Sequence, residues 1–210
     1  MIRPPALLLA ASLCLSSPLL VSAQSSEKKP ITLDVLAAVT RDDTGRGNPI
    51  WHPSGKSFAY KEGKKIFLLD LQSKKSRELI DLSSLEGQAK KPPTPLAFDW
   101  ENRGVRERPY QWTSDGKALL VAVDGDLFLW RESSGKTEQL TATPVAERDP
   151  KLSPDGAKVG FRLDHDLYVM DIDSRKTTRL TDDGSPTLMN GKLDWVYPEE
   201  LALGTAWWWA

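Results

Sequence analysis

Cysteine is nearly absent: the only one, Cys14, lies in the apolar stretch near the N-terminus. Once that stretch is removed, neither a disulfide nor a cysteine-based metal site can form. Histidine is almost as scarce. His52 and His165 stand far apart with no H-x-x-x-H or H-E-x-x-H pairing, so neither a metal centre nor a histidine-based triad is expected. Both fall in turns of a repeat, where solvation is the expected role. There is no G-x-S-x-G nucleophile elbow, and the glycines at 184 and 191 do not form a phosphate loop. Catalytic residues, metal ligands and cofactors are therefore assigned to none of these positions. With a formal charge of −1 and a pI near 6.2, the chain gives no reason to expect nucleic acid or acidic lipid as a partner. Its longest apolar run, Ala6 to Leu20, falls short of the roughly 20 residues a membrane span needs.

That run has the layout of a secretory signal. Arg3 precedes it and Val21-Ser22-Ala23 follows as a small-x-small cleavage site. Leu13 before Cys14 does not suit lipoprotein-type cleavage. Residues 1–23 are expected to direct export, to the periplasm or the medium, leaving no membrane segment. Residues 24–30 read as a polar leader and 31–210 as the folded part.

Self-similarity organises that part. Trp51-His52-Pro53-Ser54-Gly55-Lys56-Ser57-Phe58 is echoed by Trp112-Thr113-Ser114-Asp115-Gly116-Lys117-Ala118-Leu119 and by Leu152-Ser153-Pro154-Asp155-Gly156-Ala157-Lys158-Val159. Each copy is an apolar residue, a tight turn closing on a glycine, and an alternating apolar run, which together signal a hairpin. A second hairpin follows each time, beginning at Lys65, Asp126 and Asp166, and a short last strand closes the repeat. Four short strands per repeat make one blade of a β-propeller. Gly116 and Gly156 are 40 residues apart, a normal blade length. Gly55 and Gly116 are 61 apart, which places an insertion within Asp81 to Pro109. Trp209 stands where Trp51 and Trp112 stand, before a turn not present. The fold expected is all-β: an incomplete propeller of about three blades plus the start of a fourth. Such an open ring would leave a strand edge and favour association or partial folding.

Leu193-Asp194-Trp195-Val196-Tyr197-Pro198-Glu199-Glu200-Leu201 breaks the repeat. Pro198 fixes its own φ and biases Tyr197 toward extended backbone, so a helix is expected to begin at Pro198 with Glu199 and Glu200 in its first turn. Acidic residues are common at helix starts because the dipole favours them there, and that role alone would account for the pair. Two adjacent carboxylates among large aromatic side chains, with Trp207-Trp208-Trp209 following, also fit a site for a cation.

This segment, with the Ala-Trp-Trp run leading into another repeat, resembles the double-glutamate motif D-W-V-Y-E-E-E of the dipeptidyl peptidase IV family of exported serine peptidases. The resemblance implies that the chain is part of an N-terminal eight-bladed propeller facing an α/β-hydrolase domain that is absent here. It implies that Glu199 and Glu200 bind the free α-amino group of a peptide substrate. Pro198 replaces the first glutamate of the motif. The family also uses a propeller arginine to hold the peptide carbonyl; Arg103, Arg106 and Arg108 are available, and no motif selects one. Implied partners are peptide N-termini, the missing C-terminal hydrolase domain and, at full length, a second copy in a homodimer. The chain alone is expected to be inactive. An alternative from another class is a non-catalytic TolB-like periplasmic propeller fragment binding a protein partner, which has no need of the acidic pair.

Overall fold

The computed structural model describes residues 49–90, 110–201 and 203–210. The signal and leader segments, Cys14, and Arg103, Arg106 and Arg108 lie outside these residues. Twelve strands form three four-stranded antiparallel sheets, each a meander in chain order. The first blade comprises β1 (Ile50–Trp51), β2 (Ser57–Glu62), β3 (Lys65–Asp70) and β4 (Lys75–Asp81). The second comprises β5 (Tyr110–Trp112), β6 (Ala118–Val123), β7 (Asp126–Arg131) and β8 (Lys136–Gln139). The third comprises β9 (Glu147–Leu152), β10 (Lys158–Leu163), β11 (Asp166–Asp171) and β12 (Thr177–Arg179). The repeat read from the sequence is the blade repeat of the structure. Two short helices, α1 (Leu82–Glu86) and α2 (Val196–Leu201), complete the described elements. The expected insertion begins with α1, where Asp81 Oδ1 accepts the Ser83 N–H at 2.9 Å as an N-cap.

The turn between the first two strands of each blade is built the same way. Gly116 N–H donates to Thr113 O and Thr113 N–H to Ala118 O, both at 2.9 Å. The Thr113 hydroxyl donates to Asp115 Oδ1 at 2.7 Å, while that oxygen accepts the Lys117 N–H at 3.0 Å. Ser153 and Asp155 repeat the arrangement in the third blade. In the first blade His52 takes the threonine's place and Ser54 the aspartate's.

His52 does more than solvate a turn, which corrects the expectation for it. Its Nδ1 accepts the Ser54 N–H at 3.2 Å, which leaves the proton on Nε2, 3.1 Å from Gly116 O in the next blade. The ring also meets Trp112 edge-on at 4.8 Å. The close fit explains the glycine, because a Cβ on Gly116 would lie 2.2 Å from His52 Nε2.

Two apolar seams hold the blades together. Strand alternation sends successive side chains to opposite faces. Leu119, Val121, Phe128 and Trp130 therefore face the first blade, packing with Ala59, Ile66 and Ile80. Leu120, Leu127 and Leu129 face the third, packing with Val159, Phe161 and Met170. That double burial is why β6 reads as the unbroken run Ala-Leu-Leu-Val-Ala-Val. Each such side chain contributes roughly 1.5–3 kcal/mol of transfer free energy.

Candidate functional site

The acidic pair sits on a long excursion that leaves the third blade after β12 and returns along β9. Asp166, the first residue of β11, anchors its start. This carboxylate is buried and accepts the Thr181 hydroxyl at 2.8 Å, the Gly184 N–H at 3.1 Å and the Asn190 amide at 3.1 Å. It also pairs with Arg179. Burial pushes the carboxyl up, but Thr181, Arg179, Asn190 and Gly184 together hold it down at about 2. The same register position is filled by a Lys65–Glu78 pair in the first blade and by Asp126 with Gln139 in the second. Only the third blade turns it into an anchor for a loop. Asn190 N–H also donates to His165 O at 2.9 Å, which gives His165 a structural place. Gly184 fits because a Cβ there would lie 2.5 Å from that carbonyl oxygen.

The helix α2 starts at Val196, two residues before the expected Pro198. Asp194 Oδ1 accepts the Val196 N–H at 3.1 Å, so a side-chain cap starts the turn upstream of the proline. Pro198 is buried within the first turn, where its missing N–H has no intrahelical acceptor to lose. Glu199 lies in the first turn and Glu200 immediately beyond it; both are exposed. The Leu203 N–H closes the helix by donating to Tyr197 O at 3.1 Å. Trp195 is 63% exposed, Tyr197 43% and Leu201 58%, so the described chain leaves an acidic, aromatic surface open around the pair.

The return is held by groups that drew no notice in the sequence. The Thr205 hydroxyl donates to Asp149 Oδ2 at 2.6 Å. Lys151 Nζ lies 3.1 Å from the same carboxylate, donates to Trp207 O at 2.5 Å and sits 4.0 Å from the centre of the Trp207 ring. Burial lowers the Lys151 pKa, and Asp149 opposes that shift. Trp209 Nε1–H donates to Lys151 O at 3.1 Å. Trp207 and Trp209 meet edge-on over Gly160, where a Cβ would lie 2.6 Å from the Trp207 ring. Trp208, between them, is 71% exposed, the alternation of extended backbone. The residues near Trp209 thus run beside β9 much as Gln111 of β5 reaches Pro150 O from the other side. The available signal was Asp149-Pro150-Lys151, two opposite charges two residues apart on one face of a strand.

Among the described residues no group of three or more His, Cys, Asp or Glu could hold a metal, and no helix is long and apolar enough to cross a membrane. Two clefts lie between blade turns, one lined by Thr113, Asp115, Arg131, Asp155 and Asp173, the other by Trp51, Trp112 and Pro154. Neither is lined by Glu199 or Glu200.

The sequence model for the dipeptidyl peptidase IV N-terminal region matches residues 143–210. A probable dipeptidyl-aminopeptidase B from Talaromyces marneffei is 37% identical over 113 residues, covering 46% of this chain and 12% of that protein. Another, from Chaetomium globosum, is 28% identical over 206 residues, covering 87% of this chain and 22% of that protein. The chain therefore spans a minor part of the length of the curated relatives it matches. The crystal structure of Porphyromonas gingivalis dipeptidyl peptidase 4 superposes with a TM-score of 0.59 at 21% identity, over 84% of this chain and 25% of that one. At that identity the likeness speaks for the fold. Residues 143–210 thus belong to the N-terminal family of dipeptidyl peptidase IV, built here as the third blade of a propeller and the excursion that follows it.

Proposed function

We propose that this chain is the substrate-recognition part of an exported dipeptidyl peptidase IV-like serine peptidase, and that Glu199 and Glu200 bind the α-ammonium of a peptide. The observation that carries the reading is the pair itself. Two adjacent carboxylates are presented to solvent on a short helix, in a segment that matches the family. A peptide α-amino group has a pKa of about 7.7–8.0, so most of it is charged at neutral pH. Its three N–H donors suit two carboxylates, whose mutual repulsion the cation relieves. In the whole protein, an ammonium held at a fixed distance from a nucleophile would set the cut two residues from the N-terminus. That nucleophile would come from a hydrolase domain, which this chain does not supply. Export rests on Arg3, the apolar run to Leu20 and Val21-Ser22-Ala23.

The test is binding of a short X-Pro peptide to the purified chain, followed by titration calorimetry or by NMR of the indole protons. The free-amine peptide should bind, and its N-acetylated form should not. Glu199→Gln and Glu200→Gln should each weaken binding about tenfold, or ~1.4 kcal/mol. Equal affinity for the free and acetylated peptides would remove the ammonium from the account.

A further inference from the structure

Between Gly191 and Trp207 the chain makes its whole journey through α2, yet its two ends meet at one side chain. A Cβ on Gly191 would lie 3.1 Å from Trp207 Cδ1 and 2.7 Å from Leu167 Cδ2. The outgoing backbone therefore lies directly against the indole that ends the return. Gly191 has φ +71, a conformation that a glycine adopts without strain. The opposite side of the Trp207 ring system is fixed by the third blade, with Gly160 of β10 beneath it and the Lys151 ammonium over its face. The Trp207 Nε1–H is buried without a hydrogen-bond partner, so packing and the cation hold the ring. Thr205, two residues earlier, is bound to Asp149, and Asp149 pairs with Lys151. One indole is thus wedged between the blade and both legs of the loop that carries the acidic pair.

We propose that Trp207 is a positioning residue for Glu199 and Glu200: a clasp that closes the base of the 191–207 loop and fixes α2 against the third blade. The inference rests on the role proposed for the two glutamates, because positioning has a purpose only if the pair binds something. The residue does not touch the ligand. It acts by removing the freedom that a loop of this length would otherwise have, so a bound ammonium need not order α2. A loop held only by its helix would lack that restraint, since α2 is six residues long and so short a helix is marginal by itself.

Amide hydrogen exchange on the full chain, resolved along the sequence, reads the clasp without any peptide. Trp207→Ala should speed exchange across 193–201 by about tenfold or more while protection in β6, β7 and β11 stays as in the native chain, because local opening is separable from global unfolding. Trp207→Phe keeps a ring over Gly160 and should restore most of the protection. Unchanged exchange at 193–201 in Trp207→Ala would overturn the proposal, as would an equal loss in all three blades. If Trp207→Ala does not fold, Trp207→Phe decides: exchange raised at 193–201 alone supports the clasp, and native exchange there overturns it. The same variants are then titrated with the X-Pro peptide. Loosened exchange with native affinity would keep the clasp and discard the glutamate reading. Weakened binding in Glu199→Gln with native exchange would leave the two claims separately standing.

Discussion

The Thr143 hydroxyl lies 2.8 Å from Glu147 Oε1 and is also within bonding reach of the carbonyl of Val145. One hydroxyl proton cannot serve two acceptors. The arrangement is complete when Glu147 itself carries a proton and donates it to Thr143. The second oxygen, Oε2, accepts the Thr141 hydroxyl at 3.0 Å, and that hydroxyl in turn accepts the Leu127 N–H at 2.8 Å. Glu147 is 2% exposed. Burial is the main cause that raises its pKa to about 7, against the hydrogen bonds from Thr143 and Thr141.

A pH dependence follows. An unfolded glutamate titrates near 4.5 and this one near 7, so between those values the native state binds the extra proton. Stability should fall as pH rises through that window and level off above it, by roughly 3 kcal/mol in all. Glu147→Gln keeps a donor toward Thr143 and removes the charge. Urea melts at pH 5 and pH 8 should show the decline in the native chain and little of it in the variant. An equal decline in both would assign it to other groups.

Asp166 works in the opposite sense. Its folded pKa of about 2 lies below the ordinary 3.8, so its contribution is present above the ordinary value and is lost as pH falls toward 2. Asp166→Asn should cost stability at pH 7 and much less at pH 2. It should also release Asn190 and Gly184, so exchange should quicken at 184–190 before β11 is affected. Protection retained at 184–190 in the variant would show that the loop is held without the carboxylate.

The turn glycines should not be equivalent. A Cβ on Gly55 meets nothing within 4 Å, whereas one on Gly116 runs into His52. Both have positive φ. Gly55→Ala should therefore cost about 1 kcal/mol for backbone strain alone, and Gly116→Ala roughly 2–4 kcal/mol. The excess should shrink in a His52→Ala background. Equal midpoints for the two single variants would mean that the seam yields easily.

Peptide binding should follow the proton on the ligand. If Glu199 and Glu200 hold an ammonium, affinity should drop progressively above pH 8, because the α-amino pKa is about 7.7–8.0. A permanently charged N-trimethyl peptide should lose that decline while binding more weakly for want of N–H donors. A flat profile for the ordinary peptide would exclude the charged amine as the contact.

Much of the architecture was legible because it repeats. The turns at Gly55, Gly116 and Gly156 and the period-2 strands after them are local properties, written within ten residues of each other. The start of α2 was misplaced because Pro198 was read as the first helical residue, and the Asp194 side chain caps two residues earlier. His52 was read as solvated because its partner, Gly116 O, is a whole blade away. Asp149 and Lys151 went unnoticed for the same reason: their partners Thr205 and Trp207 are more than fifty residues distant. The acidic pair could be read because its neighbours in sequence marked it; what holds its loop in place is written elsewhere in the chain.

The position occupied by Ala59 in the first blade is occupied by Leu120 in the second and Gly160 in the third. Ala59 and Leu120 each lie in the seam with the following blade, and Gly160 meets the two indoles that follow it. Similar as the blades are in course, they are therefore not interchangeable modules. Exchange or duplication of blades by recombination would set Leu120 against Trp207, or leave a gap where Gly160 faced a seam shaped for leucine. The order of the blades is thus inherited as a unit, and drift at this one position in any of them is constrained by its successor.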